Sequence, residues 1–200
     1  MSSPRFAPLD RATMTPDQGR VADALMNGPR KGMNGPHNAW LRRPELADRF
    51  QRVGEYILFQ TMLQPRLREL AIILAARRWN SQFEWHAHRR LALEAGVTVA
   101  VADAIERGER PSTLLADETV VFDFVVDLLG TGEVSDSNFD KAKALLGEDG
   151  VIDLVGSVAY YTAVALTLNV DRHPVPPGGR TLAPMTSGFV EAMAPKSGAA

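Results

Sequence analysis

From Pro44 onward the apolar residues return at three- and four-residue spacing. Leu46, Phe50, Val53 and Ile57 mark one face of a predicted helix that opens on Pro44. Pro65 opens the next, where Leu67, Leu70, Ile73, Leu74 and Arg77 form the repeating rows. That run is apolar around most of its circumference and is therefore expected at the centre of the fold. Residues 82–96 form a further helix closed by Gly96, and a short one beginning near Thr98 is closed by Gly108. The pattern continues over Asp117–Leu129, over Ser135–Leu146 behind a serine cap, and over the long apolar stretch Gly150–Asn169. No segment alternates as a half-buried strand would.

The reading is an all-α bundle of antiparallel helices in a single domain, with its core at about 34–170. Residues 1–18 are expected to be an irregular arm, with a short helix over Asp17–Met26 announced by Thr15-Pro16-Asp17. Asn27–Asn38 is dense in Gly-Pro and Asn-Gly steps and reads as a shaped loop. It lacks the preceding strand and the Gly-Lys-Ser/Thr ending of a phosphate-binding loop. Residues 171–200 lose periodicity and are expected to be an extended tail, packing on a neighbouring subunit.

Composition narrows the chemistry. A net charge of -2 supplies no basic field for a phosphate backbone, so nucleic acid is not an expected partner. The absence of cysteine removes disulfides, thiolate metal sites and thiol redox chemistry together. No signal-peptide core and no apolar run of membrane-span length are read, so the protein is expected to be soluble and cytoplasmic.

Candidate chemistry concentrates in "NSQFEWHAH", Asn80 to His88. Glu84 and His88 are four apart and share a helix face, whereas His86 is rotated away and reads as exposed or as a structural donor. Phe83 and Trp85 flank the pair, although these rings and Trp79 equally suit a core. Upstream, Glu69 sits among apolar residues, where a carboxylate needs a partner. A metal site needs three or four ligands, and only Glu84 and His88 share a face; a third such as His37 would have to come from the loop, so no metal is expected. Tyr160 and Tyr161 read as packing residues.

The stretch "PRLRELAIILAARRWNSQFEWHAHRRLALEAGV", with "GPHNAWLRRPELADRF" before it, resembles the carboxymuconolactone decarboxylase family, which shares an all-helical fold with alkylhydroperoxidase D. The similarity spans about Asn34 to Arg110. In the peroxidase branch the functional residues are a Glu, a Cys-x-x-Cys pair and a His four beyond the second Cys. These positions fall here on Glu69, Ser81, Glu84 and His88, so both sulfurs are missing and the decarboxylase branch is the better match.

The resemblance implies a cofactor-independent lyase or isomerase acting on a small carboxylated lactone, with Glu84, His88 and Glu69 as catalytic residues. Arg77 or Arg78 is expected to hold the substrate carboxylates, with Trp85 and Ser81 beside them and His37 and Asn38 closing the pocket. It also implies a homo-oligomer, a trimer or hexamer. The competing expectation is a non-catalytic protein on the same scaffold that binds a small acid or merely assembles.

Overall fold

Proline and short polar caps set where the helices begin. In the computed structural model, which describes residues 3–194, Thr15 and Gln18 cap α1 (Pro16–Asn27) reciprocally, and Pro16 occupies the first turn. There follow α2 (His37–Trp40), α3 (Pro44–Phe59), α4 (Pro65–Arg78), α5 (Gln82–Glu94), α6 (Val99–Arg107), α7 (Ala116–Thr131), α8 (Asp136–Asp171) and α9 (Phe189–Met193). Among the described residues there is no strand, and the fold is all-α. The C-terminal part of the tail expectation, 195–200, and residues 1–2 of the arm lie outside the described residues.

The central position expected for the Pro65 helix is observed. Its residues from Leu70 to Ala76 are fully buried, and α4 packs against α5, α6, α7 and α8. Each large aliphatic side chain buried there contributes about 1.5–3 kcal/mol. The two predicted C-terminal helices form one element that breaks at Gly147, whose φ of 72° interrupts the helical backbone. α8 contains an 18-residue window of mean hydropathy 1.6, long and apolar enough to cross a membrane, which the sequence reading overlooked. More than half of that window, 56%, is buried inside the protein, where it packs against α4 and α7.

Two expectations are corrected. The face of α3 turned inward is Ala47, Gln51, Gly54 and Ile57, while Leu46 and Val53 are exposed. Small residues on that face let neighbouring side chains approach the helix backbone, which apolar periodicity alone does not reveal. The segment after Asp171 folds back on its own chain: Gln82 exchanges two hydrogen bonds with Leu182, Arg180 pairs with Glu106, and α9 buries Phe189 and Met193. The N-terminal arm is tied down too, with the Arg5 and Phe6 amides donating to Asp171 and the Leu9 amide donating to Asn38.

Candidate active site

α4 and α5 are joined by the short Trp79–Ser81 turn, and this places Glu69 of one helix beside His88 of the other. Glu69 Oε2 lies 2.8 Å from His88 Nδ1, with both side chains largely buried. An ionised carboxylate only accepts, so Nδ1 carries the proton and the lone pair is left on Nε2. Arg68 Nη2 approaches the other Glu69 oxygen at 3.4 Å. The imidazole ring meets Tyr161 edge to face at 4.7 Å, and Tyr161 meets Tyr160 in the same manner at 5.2 Å.

His88 and both tyrosines open onto a cavity of about 680 Å³. Glu84, His37 and Arg30 line it as well. Its size and mixed apolar and polar wall suit a small organic molecule. Glu84 is 1% exposed, and neither of its oxygens has a hydrogen-bond partner among the described residues. Burial therefore pushes its carboxyl well above the usual range; the nearby Ser81 hydroxyl offsets this only in part and forms no well-aligned bond with it. Burial thus favours the protonated form of Glu84.

His37 is pushed the other way. Burial, helped by the Arg30 charge, lowers its pKa to about 4, against a hydrogen bond to the Asn34 carbonyl that raises it. With Nδ1 donating to Asn34 O at 2.6 Å, His37 presents an unpartnered Nε2 acceptor. Burial likewise raises both phenols, Tyr161 more than Tyr160, and keeps them protonated.

The sequence-predicted residues divide sharply. Glu84, His88 and His37 come together on the cavity wall, with Glu69 behind His88. The partner expected for His88 is different: Glu84 shares its face but makes no hydrogen bond with it, and Glu69 holds the imidazole instead. Arg77 is turned into the core, where it donates to Asn80 Oδ1 and to the Ala183 carbonyl. Arg78 donates to the Leu129 carbonyl and stacks on Trp79 and Phe189. Neither arginine lines the cavity. Trp85 and Ser81 are fully buried in the packing beneath it, and Asn38 secures the N-terminal arm.

His86 is half-buried on the cavity rim and Phe83 lines the wall. Among the described residues, no three His, Asp or Glu side chains gather as metal ligands. Arg30, Tyr160 and Tyr161 were missed as site residues. The adjacent tyrosines were visible in the sequence, but a helix of unknown partners gives no sign of which face meets a cavity. Arg30 carried no signal beyond its place in the glycine-rich loop.

Comparison with known proteins follows the same lines. Residues 44–119 match the model of the carboxymuconolactone decarboxylase family, a segment holding Glu69, Glu84 and His88. No curated protein sequence matches the chain. Among solved structures, a protein of unknown function from Agrobacterium tumefaciens, suggested to be the antioxidant defence protein AhpD, aligns with a TM-score of 0.60 at 13% identity. The alignment covers 70% of this chain and 96% of that one, and at this identity it speaks for the fold. The resemblance read from the sequence is thus met by an independent match: over 44–119 the chain is similar to the carboxymuconolactone decarboxylase family, and its all-α fold is like that of the Agrobacterium protein.

Proposed function

We propose that the cavity carries out cofactor-independent acid–base chemistry on a small carboxylated lactone or a related ring acid. The observation that supports this is the 2.8 Å contact of Glu69 with His88 Nδ1, on a cavity that also holds the buried Glu84, whose protonated form burial favours. His88 Nε2 is then a base, and the imidazolium formed on protonation lies beside a carboxylate. Two groups of opposite proton state on one wall can serve as acceptor and donor in the same turnover.

In a decarboxylation, the bond from ring carbon to carboxylate breaks and its electron pair spreads into the conjugated lactone. Carbon dioxide leaves, an oxyanion develops on the ring, and a proton is delivered to carbon. Glu84 is placed to stabilise that oxyanion by donation, and His88, protonated in the preceding step or from solvent, to return the proton. Thiol peroxidase chemistry lacks its nucleophile, because the chain has no cysteine and the corresponding positions are Ser81 and Glu84.

The test is incubation with 4-carboxymuconolactone generated in situ, followed by absorbance and NMR, beside His88→Ala. Turnover that disappears in the variant while its helical circular dichroism persists supports the proposal. Binding of the lactone without loss of carbon dioxide transfers the cavity to the alternative role of holding a small acid.

A further inference from the structure

We infer that Arg30 and the Tyr160 hydroxyl form the anion-holding end of this cavity and take a carboxylate of the bound molecule. The inference rests on the cavity being the reaction site, and it names the group in the ligand that the site selects. The sequence directed this role to Arg77 and Arg78, both of which are committed elsewhere.

Arg30 and Arg90 are the arginines on the cavity wall. Arg90 is largely exposed and pairs with Glu94 at 2.6 Å. Arg30 has no carboxylate partner among the described residues, and its Nε is buried without any protein acceptor. Its Nη2 donates to Tyr160 Oη at 3.4 Å. Because that oxygen accepts from Arg30, the phenolic hydrogen is left free to donate elsewhere. A guanidinium with spare N–H groups and a phenol with a spare O–H match the two oxygens of a carboxylate.

The surroundings favour an incoming anion. Burial favours the protonated form of Glu84 and lowers the pKa of His37 to about 4, and Glu69 is already engaged by His88 and Arg68, so none of these groups serves as a counterion to Arg30. Arg30 is half-buried with its Nε out of water, and a partly desolvated cation without a counterion gains from a ligand carboxylate.

Gly54 explains how both groups reach this position. It lies on the inward face of α3, and a Cβ there would overlap the Arg30 guanidinium and the Tyr160 ring and hydroxyl. The helix backbone is therefore the floor on which the two donors rest. Only glycine leaves room for them.

Calorimetric titration with 2-furoate, and with the isosteric neutral 2-furamide, tests the assignment on the full chain. Wild type is expected to bind 2-furoate about tenfold or more tighter than 2-furamide, and Arg30→Gln to lose that preference while still binding the amide as wild type does. Tyr160→Phe, a milder change, is expected to weaken 2-furoate about threefold to tenfold, and Arg30→Lys to recover part of what Arg30→Gln loses.

His88→Ala is expected to keep the preference for 2-furoate over 2-furamide, whatever its change in absolute affinity, which separates this inference from the acid–base reading. Loss of turnover in His88→Ala with unchanged 2-furoate binding in Arg30→Gln leaves the catalytic proposal standing and overturns this one. No preference for the anion in wild type, or no binding, also overturns it.

Discussion

Glu69 on α4 holds the Nδ1 side of His88 on α5 at 2.8 Å, although the two residues stand 19 positions apart. Glu84, only one helical turn from His88, makes no bond to it and faces the cavity, where burial favours its protonated form. One histidine thus has a carboxylate behind it and a carboxylic acid beside it. The division of labour follows from burial: Glu69 has nitrogen donors on both oxygens, and Glu84 has none.

Glu69→Gln keeps the shape of this contact but lets the amide satisfy either tautomer. Turnover is expected to fall about 10²–10⁴-fold, as for loss of a correctly oriented acid–base group. Nitrogen-15 NMR of the imidazole supplies the readout that a merely structural role would leave unmoved. In wild type the proton sits on Nδ1, and in the variant it shifts toward Nε2. A variant with the wild-type tautomer and wild-type rate would remove Glu69 from the mechanism.

The raised pKa of Glu84 makes stability depend on pH. Above about 4.5 the unfolded chain releases this proton while the folded chain keeps it, so the unfolded state binds fewer protons and stability falls as pH rises. The slope from this one group is at most about 1.4 kcal/mol per pH unit. Glu84→Gln, neutral at every pH, is expected to close that gap: urea unfolding should find it gaining on wild type between pH 5 and the folded-state pKa. Parallel stability curves for the two proteins would mean that Glu84 ionises freely in the fold.

His37 produces the opposite limb. Its folded pKa of about 4 lies below the usual 6.5, so between these values the unfolded state binds more protons and stability is lost as pH falls. The full loss, reached below both values, is about 3 kcal/mol. His37→Gln should flatten the acid side of the stability profile from pH 6.5 downward and leave the profile above pH 7 unaltered in slope. An acid limb of the same steepness in the variant would assign the proton uptake to another group.

Much of this arrangement was legible in the sequence because it is local. Proline at the start of α3 and α4, glycine after α6 and the apolar girth of α4 follow from backbone and burial rules that act within a few residues. Glu84 and His88 stood out for the same reason. The partner of His88 did not, because an i,i+4 neighbour is visible along the chain and a contact between helices is not. The inward face of α3 was misread because Gly54 makes room for Arg30 and Tyr160, and a glycine leaves no mark on a hydrophobic pattern. The tail was misread because polar bonds and a few isolated apolar anchors, Leu182, Phe189 and Met193, fasten it without a periodic pattern.

Arg77 shows what separates a substrate-binding arginine from a structural one. It is 1% exposed, donates to the Ala183 carbonyl at 2.8 Å and to Asn80 Oδ1 at 3.2 Å, and so ties the returning C-terminal segment to the end of α4. Arg77→Met keeps much of the buried length and removes both bonds. The loss of charge-assisted bonds is partly offset because a buried charge no longer has to be desolvated, so the expected destabilisation is about 1–3 kcal/mol. The stretch around Ala183, between the Gln82–Leu182 bonds and the buried α9, should then become more sensitive to limited proteolysis. The KM for a carboxylated substrate should not change, in contrast to Arg30→Gln, where KM rises. A raised KM in Arg77→Met with unaltered proteolysis would return this arginine to the cavity and displace Arg30 from its assignment.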